Sequence, residues 1–274
     1  MRRFALLFTL GLAACSPAPA REAGRAHPTI VSLNPCTDAI LAEVADPAQL
    51  LAISSYSHDP AASSMDPAVA WQFPATAGTT EEVLALRPDL VVGSTYMAPA
   101  TVQALARMGF RLERIGIAST VADSIAQVRK LAILAGHPER GEALVGRIEA
   151  ALAANRAPAG PPISALVWQS GGIVPGDGSL IADLLRRTGF VHAAAARGLG
   201  QADVLPLEAL IADPPQLIFA AGSGAGNENR MLHHPALRAL IGTRRERLDP
   251  SLLWCGGPTI IRAAKRLGAV RRSV

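Results

Sequence analysis

The feature that most constrains this chain is an internal repeat. Residues 80–92 read TEEVLALRPDLVV and residues 207–219 read LEALIADPPQLIF, an ungapped match 127 positions apart. Glu81 aligns with Glu208, Pro88 with Pro215 and Leu90 with Leu217, while the apolar pairs Val83/Leu210, Leu84/Ile211, Val91/Ile218 and Val92/Phe219 keep their places. Each copy reads as a short helix stopped by a proline and followed by a buried strand. Thr79-Thr80-Glu81-Glu82 adds a capping box to the first copy. A chain that says this twice is expected to hold two related α/β units.

The rest of the pattern agrees. Strands are predicted over Thr29–Leu33, Leu50–Ser54, Leu90–Gly93, Leu112–Ile115, Ser164–Trp168 and Gln216–Ala220, with helical stretches between them. Short apolar strands alternating with helices imply parallel sheets covered on both faces. From Val121 to Arg156 no strand is predicted. Ile125, Val128, Ala132 and Ala135 line one helical face, and a helix of nearly 20 residues restarts at His137-Pro138 and ends before APAGPP at 157–162. At 1.5 Å per residue that second helix would reach about 30 Å, the diameter of a small domain. The expected organisation is an N-terminal lobe over 29–119, a helical linker with a long bridging helix over 120–157, and a C-terminal lobe over 158–274. Half of the 274 residues are hydrophobic, enough for both cores.

The N-terminus reads as an export signal over 1–14. It has two arginines, an apolar run from Phe4 to Leu12 that is too short to span a bilayer, and Leu12-Ala13-Ala14-Cys15 at its end. That ending resembles the lipobox of bacterial lipoproteins, which implies lipidation of Cys15 and a Pro/Ala-rich tether over 15–28. Ordinary cleavage after Ala18-Pro19-Ala20 is the alternative and would give a soluble periplasmic protein. Loss of Arg2 and Arg3 lowers the formal net charge from +4 to +2. The remaining basic residues are scattered apart from a run at Arg244, Arg245 and Arg247, so there is no nucleic-acid footprint. Cys36 and Cys255 face an oxidising compartment, either as two separate small hydrophobes or as a disulfide.

In open parallel sheets ligands bind beyond the carboxyl ends of the strands. Tyr56, Tyr96, Trp168 and Trp254 all fall at predicted strand ends or just ahead of the last helix, where a cleft between lobes would lie. His58 stands beside Tyr56, either as a ligand to a chelated metal or as an ordinary loop residue. Other motifs carry less. GSGAGN at 222–227 has Asn227 where a dinucleotide loop needs its third glycine. PGDGS at 175–179 lacks a hydrolase elbow and reads as a turn capped by Ser179. His233-His234 has no partner at ligand spacing, and no resident metal or cofactor is expected.

The stretches VSLNP (31–35), ISSYS (53–57), EEVLALRPDLVV (81–92) and WCGGPTIIRAAKRL (254–267), with the long middle helix, resemble in order and spacing the class III substrate-binding proteins of ABC importers. These are the cobalamin, ferric-siderophore and haem binders. The resemblance implies a rigid bridging helix, a metal-chelate ligand clamped between the lobes, and a monomer that docks on a permease dimer through one surface glutamate per lobe, Glu81 and Glu208. It also implies ligand contacts at Tyr56 and in the loop Ser251–Cys255. This chain departs from the cobalamin binders there, with Leu252 and Leu253 where they carry an aromatic residue. A haem binder, a binding module serving a sensor, and a periplasmic α/β enzyme are the competing readings.

Overall fold

The computed structural model describes residues 26–222 and 234–274. The signal segment, Cys15, most of the tether, most of GSGAGN and His233 therefore lie outside the described residues.

The N-terminal lobe runs β1 (Ile30–Ser32), α1 (Pro35–Val44), β2 (Leu50–Ser54), α2 (Pro67–Ala70), β3 (Ala75–Thr76), α3 (Thr80–Leu86), β4 (Leu90–Ser94), α4 (Pro99–Arg107) and β5 (Leu112–Ile115). Two helices follow, α5 (Val121–Ala135) and α6 (Pro138–Ala154). The C-terminal lobe runs β6 (Ile163–Gln169), β7 (Ile173–Val174), α7 (Leu180–Arg187), β8 (Phe190–His192), β9 (Asp203–Val204), α8 (Leu207–Ala212), β10 (Leu217–Ala221), α9 (Pro235–Arg238), β11 (Arg244–Leu248) and α10 (Thr259–Arg272).

The first sheet has the order β3-β2-β1-β4-β5 and the second β11-β10-β6-β8, with every pairing in both parallel. Matched by strand order, β2-β1-β4-β5 corresponds to β8-β6-β10-β11, which puts the repeated phrases on equivalent elements, α3–β4 and α8–β10. Both copies bury the proline before the strand, Pro88 and Pro215. A small antiparallel ribbon, β7 with β9, is added to the second lobe.

Strand alternation sorts the core. Ile30, Leu90 and Val92 in the first lobe and Ala165, Val167, Leu217 and Phe219 in the second all belong to one large buried cluster. That cluster continues through Val128, Leu131, Leu144 and Ile148 of α5 and α6. The intervening residues face outward into separate, smaller cores: Val31 and Val91 with Val83 of α3, and Leu166 and Ile218 with Leu210 of α8. One hydrophobic core therefore runs from lobe to lobe through the bridge. Each buried Leu or Ile contributes about 1.5–3 kcal/mol, so the lobes cannot swing apart without breaking packing in α5 and α6.

The bridge is a helix pair. α5 opens on a capping box between Thr120 and Asp123 and ends at Gly136 in the left-handed conformation (φ 85°). Pro138 then restarts the chain as α6, which has 17 residues and ends at Ala154, somewhat short of the predicted length. Among the described residues no helix is long and apolar enough to cross a membrane.

Five strand segments have no counterpart in the sequence reading: β3, β7, β8, β9 and β11. The last is the run Arg244, Arg245 and Arg247, which forms an edge strand. Glu246 pairs with Arg244 and Arg266 at 2.7 and 2.9 Å. Charge on an edge strand hinders edge-to-edge pairing with other chains.

Candidate functional site

The carboxyl ends of both sheets face a cavity of about 410 Å³ between the lobes. Its polar lining is Asn34, Ser94, Gln127, Gln169, Ser179 and Gln201, and its apolar lining includes Ile117, Leu180, Leu253 and Trp254. Among the described residues that line it, none is charged. The polar groups are positioned by the fold. Asn34 caps α1, its side chain accepting from the Cys36 N–H at 2.9 Å. Gln127 donates from Nε2 to the Gly116 carbonyl at 2.8 Å, and Gln169 ends β6.

Cys36 and Cys255 border this cavity and are joined by a disulfide, with their Cα atoms 5.0 Å apart. The bond ties the first turn of α1 to the loop ahead of α10, and so one lobe to the other. The following residues dock closely. The Gly257 N–H donates to Ser124 Oγ at 2.7 Å. Gly257 has φ +57°, and a Cβ there would lie 2.6 Å from Ile40 of α1, so both conformation and space call for glycine.

The predicted aromatic cluster divides. Trp254 lies on the cavity wall, 48% exposed. Tyr56 (65% exposed) sits on the 3-10 turn Ser55–His58 and lines a separate recess of about 180 Å³ on the N-terminal lobe, with Ser54, Thr76, Gly78 and Met97. Tyr96 is exposed in the loop after β4, where its backbone N–H donates to Ser94 Oγ at 3.1 Å.

Trp168 is not at the cleft. It is completely buried in the outer core of the second lobe with Leu166, Leu210 and Leu237. The cause is strand parity: β6 extends one residue past Trp168, so the indole points outward beneath α8 and α9, and Gln169 reaches the cavity instead.

His58 is engaged locally. Its Nε2–H lies 3.1 and 3.2 Å from the carbonyls of Ala70 and Phe73, and its ring packs on Trp71 with centroids 4.2 Å apart. His234 caps α9, its Nδ1 accepting from the Ala236 N–H at 3.2 Å. Ser179 stands at the start of α7 as expected, although its hydroxyl donates to the Gly176 carbonyl at 2.6 Å.

Asp38 was invisible to sequence reasoning, where it looks like an ordinary first-turn carboxylate. It is fully buried beneath the Tyr56 turn, and its Oδ2 accepts from Ser57 Oγ at 2.6 Å and the Ser54 N–H at 2.9 Å. Desolvation raises its pKa to about 7, against the opposing hydrogen bonds from Ser32, Ser57 and Ser54. The amides of the cavity wall were also missed, because isolated glutamines in loops carry no periodic signal.

Glu81 and Glu208 occupy the second position of α3 and α8, both exposed. Among the described residues neither makes a hydrogen bond or an ion pair. The box carboxylate of α3 is Glu82, which accepts from Thr76 Oγ1 and the Thr79 N–H at 2.7 and 3.2 Å.

A family model described as periplasmic binding protein matches residues 30–247. The chain belongs to this family. Among curated proteins no sequence relative matches. Among solved structures, this periplasmic binding protein is similar to the haem-binding protein RhuT of Roseiflexus sp. RS-1 in apo form, at 22% identity and TM-score 0.70, over 89% of this chain and 98% of that one. The haem-binding protein HutB of Vibrio cholerae gives 17% identity and TM-score 0.72 over 88% and 98%. The vitamin B12-binding protein BtuF of Vibrio cholerae gives 19% identity and TM-score 0.66 over 90% and 97%. The fold is that of the class III substrate-binding proteins, two parallel-sheet lobes joined through a helical bridge, and the family implies a periplasmic location. The structures it resembles are binding proteins.

Proposed function

We propose that this binding protein captures an uncharged metal chelate, a corrinoid or a neutral ferric siderophore, and delivers it to an ABC importer. The observation that carries this reading is the cavity lining, which offers six amide or hydroxyl side chains and the Trp254 ring but no charged group among the described residues. Such a wall can hydrogen-bond the peripheral amides of a neutral chelate. It has no fork of arginines for a highly anionic catecholate complex. A haem reading draws on a different observation, the exposed phenols of Tyr56 and Tyr96, each a candidate oxygen ligand for ferric iron.

Titration with cobalamin, a neutral ferric hydroxamate, a ferric catecholate and haemin, followed by tryptophan emission, separates these. Saturable quenching by a neutral chelate is expected. Trp254→Ala should weaken that binding by about 1–3 kcal/mol, the range for losing a buried aromatic anchor. Tight binding of haemin alone, abolished by Tyr56→Phe or Tyr96→Phe, would transfer the assignment to haem.

Delivery rests on Glu81 and Glu208. A two-lobed carrier that meets a permease dimer needs like charge at equivalent places, and these carboxylates are exposed with no partner among the described residues. Lipidation at Cys15 would hold the carrier at a membrane face. Mass spectrometry of the mature N-terminus should find an acylated Cys15, whereas a chain starting at Arg21 would indicate a soluble periplasmic protein.

A further inference from the structure

We propose that His27, Asp46 and His137 form a binding site for one divalent transition metal ion of the zinc class, away from the cleft. Each residue offers one ligand atom, and the three atoms lie within 4.8 Å of one another. The site is assembled at the amino ends of the first lobe's strands, where three parts of the chain meet. His27 lies just ahead of β1, Asp46 precedes β2, and His137 joins α5 to α6. The Tyr56 recess and the interlobe cavity lie at the opposite, carboxyl ends.

The geometry suits a small tetrahedral ion. Two ligands about 2.0–2.1 Å from zinc, at a tetrahedral angle, lie about 3.3 Å apart. His137 Nε2 and Asp46 Oδ2 are 3.4 Å apart. The His27 and His137 rings lie together, with centroids 4.1 Å apart and planes at 42°. Gly136 permits this approach, since a Cβ there would meet the His27 ring, with Cε1 at 3.2 Å.

The surroundings orient the ligands as outer partners of a metal site do. Arg140 holds Asp46 Oδ1 at 2.8 Å and leaves Oδ2 facing the rings. Glu139 Oε1 lies 3.7 Å from the other nitrogen of His137, Nδ1. Gln49 is locked by donating from Nε2 to the Pro28 and Ala135 carbonyls at 3.0 and 2.9 Å. Its Oε1 accepts from the Asp46 N–H at 2.8 Å and lies 2.9 Å from His137 Nε2. In the metal-free ring Nε2–H donates to that oxygen. Ligation through Nε2 takes the other tautomer, with the ring proton moved to Nδ1 on the side of Glu139, and Gln49 Oε1 then stands as a neutral donor for the fourth position. His137 is only 6% exposed, so the ion would sit against the protein and fasten the start of the folded chain to the bridge.

The test uses the full chain without a histidine tag, stripped with EDTA and titrated with zinc chloride by calorimetry, with cobalt(II) as a coloured probe. One zinc ion per chain, a rise in melting temperature, and a tetrahedral cobalt spectrum are expected. His27→Ala and Asp46→Asn should each weaken zinc binding strongly, and Glu139→Gln by about 10-fold, the low end for an outer partner. His234→Ala should change nothing. Should His137→Gln fail to fold, His27→Ala decides, because its ring is only partly buried and a melt of the metal-free variant reports its folding. Absence of stoichiometric zinc, or unchanged binding in both His27→Ala and Asp46→Asn, would overturn the site. Chelate binding in the cleft should survive EDTA, so failure here leaves the carrier assignment standing.

Discussion

The two copies of the repeated phrase solve the same helix start in different ways. α3 opens with a full capping box between Thr79 and Glu82, whereas α8 opens from Pro206 with no side-chain cap. Glu82 aligns with Ala209, so the structural carboxylate belongs to one lobe only. Glu81 aligns with Glu208, so the carboxylate without a partner among the described residues belongs to both. Two lobes free to differ in how they stabilise a helix have kept in common the glutamate that stabilises least. A helix-dipole contribution of about 0.3–1 kcal/mol is available to any first-turn acid, and it leaves the coincidence of position unexplained. The docking on a two-fold partner proposed above would account for it.

The largest expected effect breaks the symmetry directly. The double variant Glu81→Ala/Glu208→Ala should abolish chelate uptake in vesicles carrying the importer while leaving chelate affinity unchanged. Either single variant should be intermediate, and Arg at these positions worse than Ala, because like charges across an interface repel. Normal uptake by the double variant would falsify the docking role.

Next in size is the covalent link between the lobes. Cys36→Ser/Cys255→Ser should lower unfolding free energy by about 2–4 kcal/mol in denaturant titrations. If the loss is negligible, the shared core through α5 and α6 already holds the lobes together unaided.

The lobes should also answer pH in opposite senses. Asp38 in the first lobe has a folded pKa of about 7, above its ordinary 3.8. Its contribution is fully present below about pH 4 and lost as pH rises through 7. His192 in the second lobe is pushed from 6.5 to about 4, chiefly by burial. Its contribution is present above about pH 6.5 and lost as pH falls through 4. Between pH 7 and 4 the two oppose, each by roughly 3–4 kcal/mol at 1.4 per pKa unit. Urea midpoints across that range should fall more steeply toward acid in Asp38→Asn and less steeply in His192→Gln. Parallel curves for both variants and the parent would contradict this balance.

The smallest effect sharpens the opening contrast. Thr79→Ala should cost about 1 kcal/mol, a typical loss for an N-cap, and Glu81→Ala much less. Equal losses would mean that Glu81 is structural after all.

What the sequence disclosed follows from what has a period. The repeat, the proline-stopped helices and the apolar strands mark themselves every two or every three to four residues, and they placed α3, β4, α8 and β10 on equivalent parts of two sheets. The site is harder to read because its content is aperiodic. A single residue of strand length sent Trp168 into the core and Gln169 to the cavity. Asp38 is set apart only by burial beneath a turn supplied by residues 16 and 19 positions later. β11 was hidden because its arginines mark an edge, where charge guards against pairing and masks the strand pattern. The pairing of Cys36 with Cys255 could not be decided from a separation of 219 residues, only from the fold that brings α1 beside the loop ahead of α10.

That separation has a topological meaning. The bond turns most of the polypeptide into a closed ring, with β1 and the residues before it as one tail and α10 as the other. A protease that cuts the proline-rich turn at 157–162 severs the only backbone connection between the lobes, yet it yields a single molecule until a reductant opens the ring. In a periplasm rich in proteases, a nicked binding protein of this design is still one body.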